Sequence, residues 1–412
     1  MALGVTAMES CSSPTAGEHK SSFPHFVDLV KLLGTIKGDL ANITAPPHFL
    51  APCSVVENPR CWAQHPKLFV AAAAEDEPQR RMLQVLRLFL AALRSDLYVG
   101  GGPGVSIKKP LNAFLGELFL ASWADPDSAA TTKLVVEQVS HHPPITAVHI
   151  AAPEHGVRAD SYARVEMTFK GMVHIRRIGH AMIHLDELNE DYLLPFPDVQ
   201  IRGFLGGCLY PEMVGTYKII SSSGYESEIK FSGLGFLGGG KKNYFEARVY
   251  NARDPKTNLY EASGVWSEGW QVKDVGTGEI IETYEVDAAA NRPAPMDIAS
   301  VEEQDPWESQ RAWKDVVSAL KHGELRHASE AKHRLEEGQR HMRAEERKHH
   351  ETWQPLLFHS IPGEEHDIFH RLTKGTKWTL SDAMTKGVWK FNGETEMEKT
   401  QRPYRGGKTP LG

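Results

Sequence analysis

The rhythm of apolar and polar positions divides this chain into segments of different character. Phe26, Leu29, Val30 and Leu33 recur at helical spacing, with His25, Asp28 and Lys31 off that face and Gly34 as a stop, which predicts a short amphipathic helix. Residues 44–66 carry Pro46, Pro47, Pro52, Pro59 and Pro66, too many fixed φ angles and missing donors for regular structure, and predict an extended wrap. From Pro78 to Tyr98 a strong helix is predicted: Met82, Leu86, Phe89, Leu93 and Leu97 step by three and four. Leu83, Val85 and Leu90 widen that stripe until burial on more than one side is required.

From about Leu118 to Val286 the period drops to two. Arg164–Phe169 alternates cleanly, and Val173–Ile178, Ala181–Leu185, Tyr217–Ile220, Glu226–Phe231, Tyr244–Tyr250 and Ile280–Val286 read as further strands. Short connections favour antiparallel meanders. So many consecutive strands close most simply into a barrel, which removes exposed edges and leaves an interior wide enough for one ligand. Beyond Arg292-Pro293-Ala294-Pro295 the composition turns helical and charged from Trp307 to His350, with Lys332, Glu336 and Arg340 recurring every four residues along one face. The last sixty or so residues, with Trp353, Trp378 and Trp389, are expected to pack on the barrel.

The fold class that follows is a β-rich α+β protein: a large antiparallel, near-closed β-barrel with N-terminal helices and a C-terminal helical subdomain. The expected divisions are a disordered N-terminus (1–22), the amphipathic segment (23–45), a helical and extended region (46–117), the barrel (118–290), a helical region (291–400) and a disordered tail (401–412).

Composition narrows the function. A hydrophobic content of 41% in 412 residues supports a large core, and a net charge of -7 offers no global attraction to nucleic acid, so anion binding must be local. Cys11, Cys53, Cys61 and Cys208 are scattered without metal-type spacing, and the N-terminus lacks a basic region followed by an apolar run. These features predict a reduced, cytoplasmic protein. The apolar run from Met82 to Leu93 is interrupted by Gln84 and Arg87 and is too short to span a bilayer, so membrane contact would be peripheral. Gly233 to Gly238 fits G-x-G-x-x-G, and Gly235 to Lys241 begins a P-loop, but Lys242 holds the Ser/Thr position and a strand follows instead of a helix. A hairpin loop is the expectation there.

The unusual chemistry sits in Glu137-Gln138-Val139-Ser140-His141-His142-Pro143-Pro144. The prolines remove two donors and bias His142 away from helical dihedrals. Neighbouring residues of an extended chain face opposite ways, so both imidazoles can share a ligand only if the strand bends between them. No H-E-x-x-H or C-x-x-C accompanies them, so no metal site is expected; the pair reads either as an anion clamp or as two surface histidines. A hydrolase using His141 or His142 as base, such as a phosphoesterase, is a distant alternative, since Ser140 on a strand faces away from His141.

The E-Q-V-S-H-H-P-P run resembles the signature of the oxysterol-binding-protein-related lipid transfer family. Around it, Gly38-Asp39-Leu40, Ala45-Pro46-Pro47, Trp62-Ala63-Gln64-His65-Pro66, Lys108–Glu117 and Lys332–Arg340 resemble the short, single-domain yeast-type members, over about residues 22 to 350. The resemblance implies a lipid tunnel in the barrel and no catalysis or cofactor. It implies that Lys109, Asn112, His141, His142, Lys332, Glu336 and Arg340 hold the headgroup of phosphatidylinositol 4-phosphate. Phe26, Leu29, Val30 and Leu33 would form a lid, the alternative being a terminal helix tucked on the core. A sterol would lie near Trp62, Asp96 and Tyr98, exchanged for the phosphoinositide by a monomeric cytoplasmic carrier visiting the endoplasmic reticulum, Golgi or plasma membrane. The family's tunnel pattern departs at Asp96-Leu97-Tyr98, Ala163 and Arg177, which keeps phosphatidylserine or another phospholipid as the alternative cargo.

Overall fold

A computed structural model describes residues 39–41, 45–204, 208–235 and 239–411. Phe26, Leu29, Val30 and Leu33 lie outside the described residues. Helix α1, Pro78–Leu97, begins on a proline whose fixed φ suits the first helical turn. As the wide stripe requires, Met82, Val85, Leu86, Phe89, Leu90 and Leu93 are all buried.

The strands are β1 Leu50–Ser54, β2 Lys109–Leu111, β3 Leu118–Asp125, β4 Ala130–Ser140, β5 Ile145–Ala152, β6 Val157–Phe169, β7 Val173–Leu185, β8 Glu190–Leu194, β9 Val199–Arg202, β10 Tyr210–Met213, β11 Gly215–Ser221, β12 Tyr225–Ser232, β13 Tyr244–Asn251, β14 Asp254–Val265, β15 Gly269–Asp274, β16 Ile280–Glu285, β17 Met296–Asp297, β18 Phe358–Ile361 and β19 Val388–Phe391. β3 to β17 form one 15-stranded sheet in the order β16-β15-β14-β13-β12-β11-β8-β7-β6-β5-β4-β3-β17, with β9 and β10 branching from β7. Its pairings are antiparallel, as short connections dictate. The edges β16 and β17 share no ladder among the described residues, so the barrel is near-closed. α1 is tied to the β16 edge: Arg87 pairs with Glu282 of β16 at 2.8 Å, and Arg94 with Asp287, just beyond it, at 2.9 Å. Arg81, buried at the other end of the helix, holds Glu190 of β8 at 2.7 Å.

Several boundaries differ from the pattern-based reading. Val173–Ile178 and Ala181–Leu185 are one strand, because Gly179 bends β7 without ending it. At φ +146° its position tolerates no side chain, for a Cβ there would sit 2.0 Å from the Tyr162 carbonyl oxygen. The 291–400 region is not wholly helical: β17 returns to the barrel edge, and β18 and β19 form a two-stranded antiparallel ladder whose second strand packs on β5 and β6. Helices α2, Lys314–Lys321, and α3, Leu325–His349, supply most of its helical part, and shorter helices such as Asp367–Leu372 and Glu394–Lys399 the rest. The tail after Arg402 is ordered to Leu411, not disordered. Tyr404 N donates to Asp305 Oδ2 at 2.9 Å, Trp307 Nε1 to Lys408 O at 2.7 Å, and Gln339 Nε2 to Pro410 O at 2.8 Å. Gly338 makes room on α3 for this strap, since a Cβ would meet the Leu411 backbone at 2.4 Å. The β12–β13 pairing shows the glycine-rich segment joining antiparallel strands, with no helix after it.

Three apolar cores are present among the described residues. One lies in the barrel around α1 and β3–β16. Another joins the outer faces of β4 and β5 to Trp307, Trp313, α3 and the β18–β19 pair. A smaller one packs Met182, Leu193 and Ile220 against Phe369 and Leu372. Trp307 and Trp313 are almost fully buried, and each large apolar side chain so placed stabilises the fold by roughly 1.5–3 kcal/mol.

Candidate functional site

β4 ends at Ser140, and His141–Pro144 form the turn into β5. The ladder slips by a residue between Gln138 and Ser140, a bulge that re-aims the side chains next to it. Gln138 fixes the turn from below: its Nε2 donates to Ser140 O at 2.9 Å, and its Oε1 accepts from Thr146 Oγ1 at 2.7 Å. The bend brings the two imidazoles together, with ring centroids 4.6 Å apart at 66°. His141 Nδ1 faces Ala113 O at 3.0 Å, which assigns Nδ1 as the protonated donor and leaves Nε2 for a ligand. Burial, and then the neighbouring His142, lower the His141 pKa.

Glu137 anchors the turn from behind. Its carboxylate is fully buried and accepts from Leu356 N at 2.7 Å, Leu357 N at 2.8 Å and Arg405 Nη2 at 3.2 Å. Burial pushes its pKa up to about 7 against the pull of those donors. Arg405 is itself held over the rings of Trp307 and Trp353, 5.0 and 4.8 Å from their centroids. Ser140 is not aligned as a nucleophile, because its Oγ accepts from Lys386 Nζ at 2.9 Å.

Two lysines approach the same region. Lys109, on β2, donates through Nζ to Asn112 Oδ1 at 2.5 Å and Ala41 O at 3.2 Å. Burial, and then the charge of Lys332, lower its pKa to about 8. Lys332 is buried on α3 and pairs with Glu336 one turn on. Glu336 also lies close enough to His141 to favour its protonated form. The structure therefore brings together Lys109, Asn112, His141, Lys332 and Glu336, with His142 exposed beside them. Arg340 is exposed on α3. The arginine of α3 whose charge acts on His141 is Arg343, which a step of four along the sequence passes over.

Lys109, Asn112, Gln138, Pro144 and Thr146 also line a cavity of about 270 Å³. That is near the lower end of the roughly 300–1,000 Å³ of small-molecule sites. Its other walls are mostly apolar, from Leu40, Phe49, Val165, Met167, Val173, Ile175 and Val199 among others. Leu40 and Ala41, in the segment expected to cover the barrel, line it directly, and Leu40 N donates to Met167 O at 2.7 Å. Asp96 and Arg177 line it as an ion pair, Oδ2 to Nη1 2.5 Å. Val165 N donates to Pro144 O, and Val165 pairs with Arg177 across the β6–β7 ladder. Arg177 is thus two strand spacings, roughly 10 Å, from the His141–Pro144 turn. Trp62 and Tyr98 do not line this cavity. Trp62 packs near Phe89, centroids 5.8 Å apart, and Tyr98 Oη accepts from Asn243 Nδ2 at 2.7 Å inside the core. Ala163 lies opposite Thr146 and Gly179 in the β5–β7 ladders. Among the described residues no cluster of three or more His, Cys, Asp or Glu could hold a metal, and no helix is long and apolar enough to cross a membrane.

An apolar cavity with a cationic rim, built into a near-closed antiparallel barrel, is the architecture of a lipid-binding protein. The chain belongs to the oxysterol-binding protein family, whose sequence profile matches residues 28–318 and 311–398. Members of this family are lipid-binding transfer proteins, not enzymes. The chain is 36% identical to protein kes1 of Schizosaccharomyces pombe, over 89% of this chain and 93% of that one. It is 46% identical to the probable transporter efuK of Hormonema carpetanum over 92% of this chain, and spans 54% of the length of that protein. Among solved structures, the Osh1 ORD domain in complex with ergosterol superposes with a TM-score of 0.67 at 21% identity, covering 95% of this chain and 90% of that one. The Osh3 ORD of Saccharomyces cerevisiae in complex with PI(4)P gives 0.67 at 18% identity, covering 98% and 97%.

Proposed function

We propose that this protein binds a sterol and phosphatidylinositol 4-phosphate alternately in one cavity and exchanges them between membranes. The observation that carries the reading is that the apolar cavity and the Lys109–Asn112 rim are continuous, so one occupant's apolar body excludes another's. Lys109 and Lys332 supply the cations that a phosphorylated headgroup needs, His141 becomes a third when it is protonated on Nε2, and Glu336 orients Lys332. The relatives support it: one structural neighbour holds ergosterol and another PI(4)P. Asp39 is part of the cover, its Oδ1 accepting from Ala41 N at 2.9 Å and Met167 N at 2.8 Å. We propose further that Phe26, Leu29, Val30 and Leu33 serve as a lid and a peripheral membrane contact, and that the carrier works as a cytoplasmic monomer.

A phospholipid such as phosphatidylserine in place of the sterol is the second reading. The Asp96–Arg177 pair favours it, because a buried ion pair offers both a carboxylate and a guanidinium to a zwitterionic group. Competition decides between them. Protein loaded with a fluorescent sterol is mixed with liposomes containing phosphatidylinositol 4-phosphate, and stoichiometric sterol release is expected. Failure to load sterol alongside uptake of phosphatidylserine selects the second reading, and simultaneous binding of both ligands overturns exchange.

A further inference from the structure

The segment from Arg402 to Leu411 contacts α3, the loop after β2 and the end of β4, the three places that carry or adjoin the headgroup cluster. On α3, which holds Lys332 and Glu336, Gln339 Nε2 donates to Pro410 O at 2.8 Å and Gly338 faces the Leu411 backbone. In the loop that begins with Asn112, Gly116 lies so close that a Cβ there would sit 3.1 Å from Arg405 Nη2. Gly116 N donates to Gln138 O at 2.9 Å, on the strand that ends in the histidine turn. Behind that turn Arg405 Nη2 meets Glu137 Oε1 at 3.2 Å, the carboxylate fully buried and the guanidinium side chain 16% exposed.

The backbone strains to present Arg405. Its φ of +53° is left-handed, an unfavourable conformation for a residue other than glycine. Strain of this kind persists only where the surroundings over-determine it, and here they do. The guanidinium is held over Trp307 and Trp353, its Nη1 donates to Gln354 O at 3.0 Å, and the backbone is fastened on both sides at Tyr404 and Lys408. Burial pushes the Glu137 carboxyl pKa up, and the charge of Arg405 is among the influences that pull it back. Without Arg405 that carboxyl takes up a proton more readily and becomes a weaker acceptor for Leu356 N and Leu357 N.

We infer that Arg405 is a positioning residue for the headgroup site, seating residues 402–411 on Glu137 and so holding the histidine turn, the Asn112 loop and α3 at the spacing a phosphomonoester requires. It touches no ligand. Residues 402–411 are not among the walls of the apolar cavity, so sterol occupancy does not depend on them. The inference rests on the phosphoinositide reading above and goes beyond it: a segment outside the cavity controls how well one of the two cargoes is held.

The test compares wild type, Arg405→Ala, Arg405→Lys, Glu137→Gln and the double variant Arg405→Ala with Glu137→Gln. Lys408→Ala is the control, since its exposed side chain reaches toward Glu351. Each protein is measured for extraction of phosphatidylinositol 4-phosphate from liposomes and for binding of a fluorescent sterol. Arg405→Ala is expected to lose about tenfold in phosphoinositide extraction relative to sterol binding, the scale of coupling between residues in contact. Arg405→Lys should recover part of that loss, and Lys408→Ala should match wild type. Arg405→Ala should add little once Glu137→Gln is present. If Arg405→Ala does not fold, Arg405→Gln decides by the same ratio, because it keeps a planar polar group over the tryptophans. Equal loss of both lipids, or additive losses in the double variant, would make Arg405 a stability residue alone and overturn the inference, as would an unmoved ratio in Arg405→Ala. A wild type that binds sterol but extracts no phosphatidylinositol 4-phosphate overturns the phosphoinositide reading, and the inference with it.

Discussion

Asp96 Oδ2 and Arg177 Nη1 lie 2.5 Å apart in the wall of a mostly apolar cavity, with side chains only 12% and 14% exposed. Removing one partner of a buried pair leaves an uncompensated charge, at about 3–5 kcal/mol, whereas replacing both by apolar groups is often near neutral. Arg177→Met is therefore expected to lower the unfolding free energy by about 3 kcal/mol in chemical denaturation, and Asp96→Leu added to it to restore most of that. Loss of sterol binding in the stable double variant would place the sterol's hydroxyl at this pair; retained binding would place it elsewhere.

Tyr98, expected near a sterol, lies apart from the cavity lining. Its hydroxyl, in the core, accepts from Asn243, which also donates to Ser267 Oγ at 3.2 Å. Tyr98→Phe should cost about 1 kcal/mol of stability, a typical net hydrogen bond, and leave the sterol dissociation constant unchanged. A several-fold weaker sterol complex without loss of stability would return Tyr98 to the binding site.

Lys109 gives the pH dependence a definite sign. Burial and Lys332 hold its pKa at about 8, against an ordinary 10.5. Below pH 8 it is charged and attracts a phosphomonoester; as pH rises through 8 that cation is lost. Affinity for phosphatidylinositol 4-phosphate should fall between pH 7.5 and 9.5. The ligand-free fold responds oppositely: the penalty of burying the charged amine is present below pH 8 and disappears by 10.5, so this group adds stability over that window. Binding that is flat across the range would remove Lys109 from the headgroup site.

His141→Ala combined with His142→Ala should reduce phosphatidylinositol 4-phosphate extraction by well over tenfold, since each charge-assisted contact contributes about 1.5–3 kcal/mol. The supporting turn should survive, because Gln138, Thr146 and Glu137 hold it through atoms that the substitution leaves in place. Unchanged extraction by the double variant would assign the imidazoles to the surface.

Much of the barrel was legible because strand alternation is local information, and α1 was legible because its stripe is long and wide. The merged β7 was missed: a glycine inside an alternating run reads as a break, while here Tyr162 O passes so close that only glycine fits. The strap was missed because Arg402–Gly412 has no apolar period, and its order comes from Asp305, Trp307 and Gln339, at least seventy residues earlier in the chain. Within the candidate site, the E-Q-V-S-H-H-P-P run pointed to the turn and Lys109 to its partner. Arg343, whose charge reaches His141, lies off a pattern that advances by four, because a helix of 3.6 residues per turn drifts off that step within two turns. Asp96 and Arg177 were each noticed, but their pairing is tertiary, joining positions 81 residues apart.

The Arg405–Glu137 contact spans 268 residues of sequence. Closing a loop of that length carries an entropic cost that is repaid only once β4 and the Trp307 platform are in place. Long-range pairing of this kind is slow to form, so the wall behind the histidine turn is expected to close after the ladders between neighbouring strands. The wall that backs the headgroup site therefore depends on the far end of the chain being in place, while the barrel ladders beneath it are built from neighbouring strands.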